Sequence, residues 1–176
     1  DLVRGLLARG IPAVGLRAFD GGLQVARALD LSSGSHTGVP DSRDPALLHT
    51  LLDAGFLPVL SPVSRNAEGM GINVNADDCA RGLLHAVAFS ELLVCSDVPG
   101  VKDANGAVIP ELAAGAVHRA IADGVIRGGM IPKVEAALAA LSAGCGVVRI
   151  GTITGGDSLL RLRSGEAGTA IVADPA

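Results

Sequence analysis

The sequence is poor in aromatic side chains: it has no tryptophan or tyrosine, and three phenylalanines among 176 residues. A hydrophobic core must therefore be built from leucine, valine, isoleucine and alanine. Proteins that bind single-stranded nucleic acids stack the bases on aromatic rings, and this chain offers almost none. The net charge is −4 and there is no run of lysine or arginine, so nucleic acid is not an expected partner.

Cysteine is scarce as well, and the three cysteines, Cys79, Cys95 and Cys145, are widely spaced in apolar segments. Because these segments are apolar, we expect buried free thiols, as in a protein of the reducing cytoplasm. The CxxC spacing of metal sites is absent. No apolar run reaches the length of a membrane span, and the opening DLVRGLLARG does not resemble a signal peptide. Four scattered histidines are predicted to be structural or exposed: His36, His49, His85 and His118.

What the chain does contain is aliphatic material and glycine. It is 49% hydrophobic, with a mean hydropathy of +0.47 and 24 glycines, which is typical of layered α/β proteins with buried parallel strands. Helical and strand patterns alternate, and they predict an α/β fold, a three-layer αβα sandwich with a mainly parallel central sheet.

The predicted helices are LVRGLLARG, Pro45 to Ala54 with Asp44 as N-cap, Ala76 to Phe89 with Asn75 as N-cap, Ala113 to Asp123, and Pro132 to about Gly144. The predicted strands are IPAVGL, FLPVLSPV, ELLVCSD, GVVRIG and GTAIVAD. The Asn-Gly pair in VKDANGAVIPEL predicts a hairpin, and Ser32 to Pro40 is predicted to be an exposed loop.

The most informative segment is GVIRGGMIPKVEAAL, from Gly124 to Leu138. Proline favours the first helical position, so Pro132 predicts a helix start and sets Lys133 in the first turn. A cation is disfavoured there by the helix dipole. With the glycine pair Gly128 and Gly129, the segment predicts an anion site, most simply one for phosphate. The alternative is a glycine-rich turn followed by a solvated lysine.

Two further loops follow predicted strands, where ligands bind in open α/β sheets. In GINVNADD, capping and the helix dipole account for Asn75 and Asp78, but they leave Asn73 unexplained, an amide suited to holding a polar substrate. The second loop is SDVPGV, Ser96 to Val101. The alternative to a ligand-binding loop here is an ordinary turn made by proline and glycine.

In order and spacing, NVNAD, SDVPGV with its DxNG hairpin, and DGVIRGGMIPKV resemble the amino-acid kinase family, and within it the acetylglutamate kinases. The resemblance runs from GIPAVGL to GTAIV, and GGMIPKV is its most specific part. It implies transfer of the γ-phosphoryl group of ATP, escorted by Mg²⁺, to the side-chain carboxylate of N-acetylglutamate in arginine biosynthesis. It also implies a homo-oligomer, a dimer or a hexamer, in the complete protein.

The resemblance assigns roles residue by residue. Lys133 matches the lysine that stabilises charge on the transferring phosphoryl group, and Asp77 matches the carboxylate that orients the active-site lysines. Asn73 matches the residue that binds acetylglutamate. The residues implied to surround the adenine and ribose of ATP are Asp97, Val98, Pro99, Gly100, Val101, Lys102, Val125, Ile126 and Arg127. Asp103 and Asn105 are interpreted as hairpin residues.

The family's N-terminal lobe carries a glycine-rich loop with a lysine, a second glycine pair and a substrate-binding arginine, and no segment here matches them. We expect the chain to be the ATP-binding part of a longer protein rather than a truncated product. Residues 1–70 are predicted to be the rear of the substrate-binding lobe and 71–176 the ATP-binding lobe. Two alternatives remain open: an aminoadipate-type or other amino-acid kinase, and a catalytically incomplete nucleotide-binding fragment.

Overall fold

The computed structural model of the chain describes residues 1–28, 37–42, 44–84 and 87–175. Its helices are α1 (Leu2–Leu7), α2 (Ala46–Asp53), α3 (Ala76–Leu84), α4 (Ala114–Ala122), α5 (Met130–Ser142) and α6 (Ser158–Ser164). Its strands are β1 (Ala13–Arg17), β2 (Gln24–Ala28), β3 (Thr37–Ser42), β4 (Leu57–Ser61), β5 (Val63–Arg65), β6 (Gly71–Val74), β7 (Glu91–Ser96), β8 (Glu111–Ala113), β9 (Val147–Thr152) and β10 (Thr169–Val172).

The chain divides into two compact units, Asp1–Val87 and Ala88–Ala176. Among the described strands, four of the seven pairings are parallel, and helices alternate with the strands in both units. The predicted α/β class is therefore confirmed. The predicted lobe boundary after residue 70 stays a prediction. In the described ranges, no helix combines the length and the apolar character needed to cross a membrane.

The first unit contains two sheets. Strands β1 and β4 pair in parallel, and the other sheet has the order β2-β3-β6-β5. Helix α2 begins at Ala46, one residue later than predicted, so Pro45 and not Asp44 is its N-cap. The Ala46 backbone N–H still donates to Asp44 Oδ1 over 2.9 Å, and Gly55, with φ of 80°, follows the end of the helix. Helix α3 ends at Leu84, short of the predicted Phe89, which is not helical.

Strand β3 corrects the prediction of a loop from Ser32 to Pro40. Residues 32–36 lie outside the described ranges, but Thr37–Ser42 is a strand that pairs antiparallel with β2. Gly38 permits this pairing, because a Cβ there would lie 2.7 Å from the Arg27 carbonyl oxygen. Pro40 is tolerated because β3 pairs with β6 only through its first two residues, so at Pro40 the strand is paired on one side, as at a sheet edge.

The second unit has one sheet with the order β7-β9-β10-β8, in which β10 runs antiparallel to β9 and parallel to β8. Helix α5 packs on β7, β9 and β10 through buried small side chains: Val134, Ala136, Ala137 and Ala140. In the strands, Val148, Ile150 and Ile171 are completely buried. The core is aliphatic, as the lack of aromatic residues requires.

The predicted hairpin is present at residues 102–108. Lys102 and Val108 form an antiparallel bridge, and the Asp103 carboxylate accepts hydrogen bonds of 2.9 Å from the Asn105 and Ala107 amides. The carboxylate is thus used within the turn, in agreement with the interpretation of Asp103 and Asn105 as hairpin residues.

The cysteines correct one expectation. Cys79 and Cys145 are buried and free, as predicted, but Cys95 is exposed and also free. Cys95 is the fifth residue of β7, opposite Gly151 of β9, so it lies near the end of the strand and not in the core. His49 and His118 are exposed, as the prediction allowed, and the other two histidines lie outside the described ranges.

Candidate functional site

The lysine segment starts its helix earlier than the sequence predicts. Helix α5 begins at Met130, with Gly129 as N-cap, so Pro132 is its third residue and not its first. The reason is that the first four N–H groups at a helix start, N-cap included, have no partner within the helix, and proline loses nothing at any of these positions. Lys133 is half-buried and occupies the fourth helical position, still at the positive end of the dipole.

The two glycines before α5 leave space around the helix start. Gly128 has φ of 59°, a left-handed conformation, whereas Gly129 has φ of −65°. A Cβ at either position would have no atom of the described residues within 4 Å. The Ile131 amide donates a 3.1 Å hydrogen bond to the Gly128 carbonyl, which forms the turn that leads into the helix. This segment combines an open backbone, the start of a 13-residue helix and a lysine. Together these features are chemically suited to binding phosphate.

The asparagine segment of the first unit behaves as capping predicts. Asn75 Oδ1 accepts hydrogen bonds from the amides of Asp77, at 2.9 Å, and Asp78, at 3.3 Å. Asp78 also pairs with Arg81 at 2.7 Å, so its role is accounted for locally. Capping and turn chemistry therefore explain Asn75 and Asp78.

Asn73 and Asp77 are placed differently from their neighbours. Asn73 is exposed on β6, between the buried side chains of Ile72 and Val74, because successive residues of a strand point to opposite faces. Asp77 is half-buried in the first turn of α3. An exposed amide at the end of a strand can hold a polar ligand, and neither β6 pairing nor capping requires an amide at this position.

The segment Asp97–Lys102, referred to below as the β7 loop, follows the carboxyl end of β7. Ser96 Oγ donates to the Asp97 carboxylate over 3.1 Å and accepts from the Val98 amide over 3.4 Å, which forms a tight turn at the strand end. Asp97, Pro99 and Lys102 are exposed. The loop therefore presents a carboxylate, an ammonium group and backbone atoms at the edge where α/β proteins bind ligands.

Val125, Ile126 and Arg127 form the turn between α4 and α5. The amides of Val125 and Ile126 both donate to the Ala120 carbonyl, at 2.9 and 3.0 Å, which ends α4. Ile126 is buried and Arg127 is exposed. Because this turn leads directly into Gly128, chain continuity brings it close to the start of α5.

The predicted site residues are thus divided between the units. Asn73 and Asp77 belong to the first unit, and the β7 loop, residues 125–127 and Lys133 belong to the second. In the second unit, Ser96 of β7 lies opposite Thr152 of the parallel strand β9. The loop after β9 therefore starts at the same sheet edge as the β7 loop.

Two features of the second unit escape analysis of the sequence alone. The first is the loop at residues 153–157, where the amides of Thr154 and Gly155 donate to Ser158 Oγ at 3.2 Å. Its glycine pair after a predicted strand is a signal that could have drawn attention to it. The second is Thr169, which bonds to the β7 loop at Val101. A separation of 68 residues leaves no local signal for that contact.

No cluster of three or more histidine, cysteine, aspartate or glutamate side chains suited to a metal ion occurs among the residues that the structure describes. A divalent cation that accompanies ATP can be held mainly by phosphate oxygens and water, with few protein ligands. The open start of α5 and the exposed groups of the β7 loop are compatible with such a ligand.

An α/β fold with an open, lysine-bearing helix start defines a candidate phosphate-binding protein, and comparison with known proteins gives the family. The model of the amino acid kinase family matches residues 1–152. The chain belongs to the amino acid kinase family.

Acetylglutamate kinases are among its similar sequences. That of Geobacillus kaustophilus is 43% identical over 142 residues, which cover 81% of this chain and 55% of the relative. That of Chloroflexus aurantiacus is 44% identical over 158 residues, 88% of this chain and 61% of the relative. The chain thus spans about half the length of the first of these relatives.

Solved structures agree on the fold. The structure of smu.665 from Streptococcus mutans UA159 has a TM-score of 0.81 at 28% identity, covering 97% of this chain and 65% of its own. Carbamate kinase from Giardia lamblia bound to AMP-PNP has a TM-score of 0.71 at 18% identity, covering 97% of this chain and 66% of its own. At that identity the second similarity concerns the fold alone.

Proposed function

We propose that the whole protein is an ATP-dependent kinase that phosphorylates the side-chain carboxylate of N-acetyl-L-glutamate, in the cytoplasm, as a step of arginine biosynthesis. The observation that carries the proposal is the segment Gly128–Lys133. Its open glycines and half-buried lysine stand at the start of α5, in a chain about 43% identical to acetylglutamate kinases. A solvated lysine after an ordinary turn would explain neither the open approach nor the burial.

The chemistry follows from the charges of the reactants. A carboxylate is ionised at neutral pH, so it needs no general base. One carboxylate oxygen forms a bond to the γ-phosphorus, the bond from that phosphorus to the β–γ bridging oxygen breaks, and ADP leaves with the electron pair. The obstacle is repulsion between anions and the negative charge spread over the phosphoryl oxygens, so catalysis consists of positioning and electrostatic stabilisation.

Each residue has a proposed role in that chemistry. Lys133 supplies positive charge to the phosphoryl oxygens, with the amides at the start of α5 as further donors. Asp77 orients the cations of the site, and Asn73 binds the acetylglutamate. Their neighbours Asn75 and Asp78 are used in capping and in an ion pair.

The β7 loop and residues 125–127 are proposed to contact the adenine and ribose of ATP. Exposed Asp97 can accept hydrogen bonds from ribose hydroxyls, and the backbone of both segments can read the base edge. Mg²⁺, when bound to the phosphates, neutralises part of their charge. A dimer or hexamer of the whole protein is also proposed.

An aminoadipate-type kinase is the second candidate. The match to the amino acid kinase family over residues 1–152 does not by itself distinguish the two candidates. The two candidates share the phosphoryl chemistry and differ in the acyl acceptor. A catalytically incomplete nucleotide-binding fragment is a third possibility, and it would bind ATP without forming an acyl phosphate.

The experiment uses the native protein. Its intact mass is measured first, and acyl phosphate formed on the same sample is then trapped with hydroxylamine. N-acetylglutamate, N-acetylaminoadipate and carrier-bound aminoadipate are compared as acceptors. We expect N-acetylglutamate to give the highest kcat/KM. Preference for an aminoadipate acceptor would select the second candidate, and ATP binding without acyl phosphate would select the third.

Lys133→Ala tests the catalytic assignment in the same assay. We expect kcat to fall by about 100-fold or more, because stabilisation of the developing charge is lost. Arg161→Ala is the matched control: it removes an exposed cation from α6 that forms a 3.7 Å ion pair with Glu166. Equal activity of both variants would remove Lys133 from the mechanism.

A further inference from the structure

Thr169 is a buried polar residue that the fold of its own strand does not explain. It is the first residue of β10 and is completely buried. Its Oγ1 accepts a hydrogen bond of 2.8 Å from the Val101 amide, 68 residues away in the sequence. A buried hydroxyl needs a partner, and here the partner is the backbone of the β7 loop.

Val101 is the point at which the β7 loop is attached to the sheet. It is 1% exposed, its amide is held by Thr169, and its carbonyl accepts a 2.8 Å hydrogen bond from the Ile109 amide. Both polar groups of this residue's backbone are therefore satisfied inside the protein. Asp97, Pro99 and Lys102 on either side are exposed, so the loop has a fixed base and an accessible rim.

Two glycines adapt the surroundings to this contact. A Cβ on Gly100 would lie 2.7 Å from Thr169 Oγ1, so only glycine lets the hydroxyl approach the loop. A Cβ on Gly151 of β9 would lie 3.4 Å from the Pro99 carbonyl oxygen and 2.8 Å from Leu162 Cδ1. The loop therefore lies beside β9 at Gly151, and its bond to Thr169 holds it to β10.

We propose that Thr169 is a positioning residue for the nucleotide: its hydroxyl fixes the β7 loop in the conformation that binds ATP. The inference rests on the proposed function, in which the β7 loop contacts adenine and ribose, and adds to it a residue beyond the part matched by the family model. Thr169 is too buried to touch the ligand itself, so it acts through the Val101 backbone.

The test compares Thr169→Val with Thr169→Ser in the whole protein. Valine keeps the branched shape and removes the hydroxyl, which leaves the Val101 amide buried without its partner. Serine keeps the hydroxyl. The control is Ser64→Ala, which removes another fully buried hydroxyl whose 3.3 Å bond goes to the Gln24 carbonyl, in the first unit.

Three quantities are measured for each variant: hydrogen exchange of the Val101 amide, the Kd for ATP by calorimetry, and the steady-state constants. In Thr169→Val we expect about tenfold faster exchange at Val101 and about tenfold higher Kd and KM for ATP. The kcat at saturating ATP and the KM for the acyl acceptor should stay within about twofold. Thr169→Ser should keep the wild-type values of all three quantities, and Ser64→Ala should keep them as well.

The outcomes separate the two proposals. Unchanged exchange at Val101 in Thr169→Val, or faster exchange with an unchanged Kd for ATP, overturns the positioning role. If all three variants show equal falls in kcat and stability and equal rises in both KM values, the role of Thr169 is merely structural. That result also overturns the proposal. If the wild-type protein binds ATP but forms no acyl phosphate, the kinase proposal fails while the Kd comparison still decides on Thr169. If the wild type binds no ATP, both fail.

Discussion

The substitution Gly129→Ala separates the needs of the fold from the needs of a bound phosphate. Gly129 is the N-cap of α5, with φ of −65° and ψ of −8°, a conformation that alanine adopts readily. Within the part of the chain that the structure describes, a Cβ there would have no atom within 4 Å. The described residues therefore give no reason for glycine at this position, whereas a ligand that approaches the backbone closely would require it.

The expected effect on stability is close to zero. Alanine restricts the unfolded chain and stabilises the protein by about 0.4–1 kcal/mol. It is also a poorer N-cap than glycine, by about 0.5–1 kcal/mol, so the two effects nearly cancel. For catalysis, a methyl group forced against a phosphate oxygen costs about 2 kcal/mol. That corresponds to a fall of about 30-fold in kcat/KM for ATP.

The assay is urea unfolding and acyl-phosphate kinetics on the same preparations. Gly5→Ala in α1 is the control, because its nearest neighbouring atom would be 3.9 Å away, an ordinary contact. Gly128→Ala is the contrast, since φ of 59° strains an alanine and should destabilise the protein. Wild-type kcat/KM in Gly129→Ala would refute the close approach of phosphate. A large fall in the unfolding free energy of Gly129→Ala would refute the backbone geometry and the open surroundings described for Gly129.

Three other predictions concern local interactions. Asn75→Ala removes the side-chain acceptor of two amides, at 2.9 and 3.3 Å, and should lower the unfolding free energy by about 1 kcal/mol, measured in urea; no change would mean that water replaces the cap. The amide and guanidinium of Arg17 hold the pKa of Asp20 below its ordinary value of 3.8, so its stabilising contribution is present above that pH and is lost as pH falls through the lower folded value. Asp20→Asn should therefore make acid unfolding less steep, and an identical acid transition would contradict this. Burial raises the pKa of the Cys95 thiol although its residue is exposed, so its carboxymethylation at neutral pH should be slower than that of a free cysteine, and an equal rate would be the contrary result.

Much of the local structure was predictable because its causes are local. Asn75 caps α3 through bonds to amides two and three residues further on. The Asp44 carboxylate accepts a bond from the Ala46 amide, although Pro45 and not Asp44 is the N-cap of α2. The Asn-Gly hairpin closes on itself through Asp103. Apolar patterns predicted five of the ten described strands and five of the six described α-helices, with ends up to five residues off, because each of these elements buries one face. The strands β2, β3, β5, β6 and β8 and the helix α6 were not predicted.

The errors arose where local preferences leave more than one outcome open. Proline is tolerated at each of the first positions of a helix, and Pro132 was assigned to the first residue of α5 when it is the third. Thr37–Ser42 has the composition of a polar loop, but pairing with β2 makes it a strand. Cys95 lies in an apolar run, yet its position near the end of β7 exposes it.

The candidate site divides in the same way. Lys133 and its glycines stand out in the sequence, because a lysine at a helix start contradicts the dipole and asks for an explanation. The roles of Asn73, Asp77 and the β7 loop came from resemblance, since backbone contacts to a nucleotide leave little trace in residue type. The attachment of the β7 loop to Thr169 had no signal, because its partners are 68 residues apart.

The sequence by itself determined the aliphatic α/β class, the caps and turns, and the lysine-bearing glycine segment, because composition and interactions within a few residues decide them. Only the tertiary structure decided where α5 begins, that β3 is a strand, and that Thr169 holds Val101. These depend on which distant backbone groups meet when the sheets form. A buried amide must find its acceptor wherever the fold provides one.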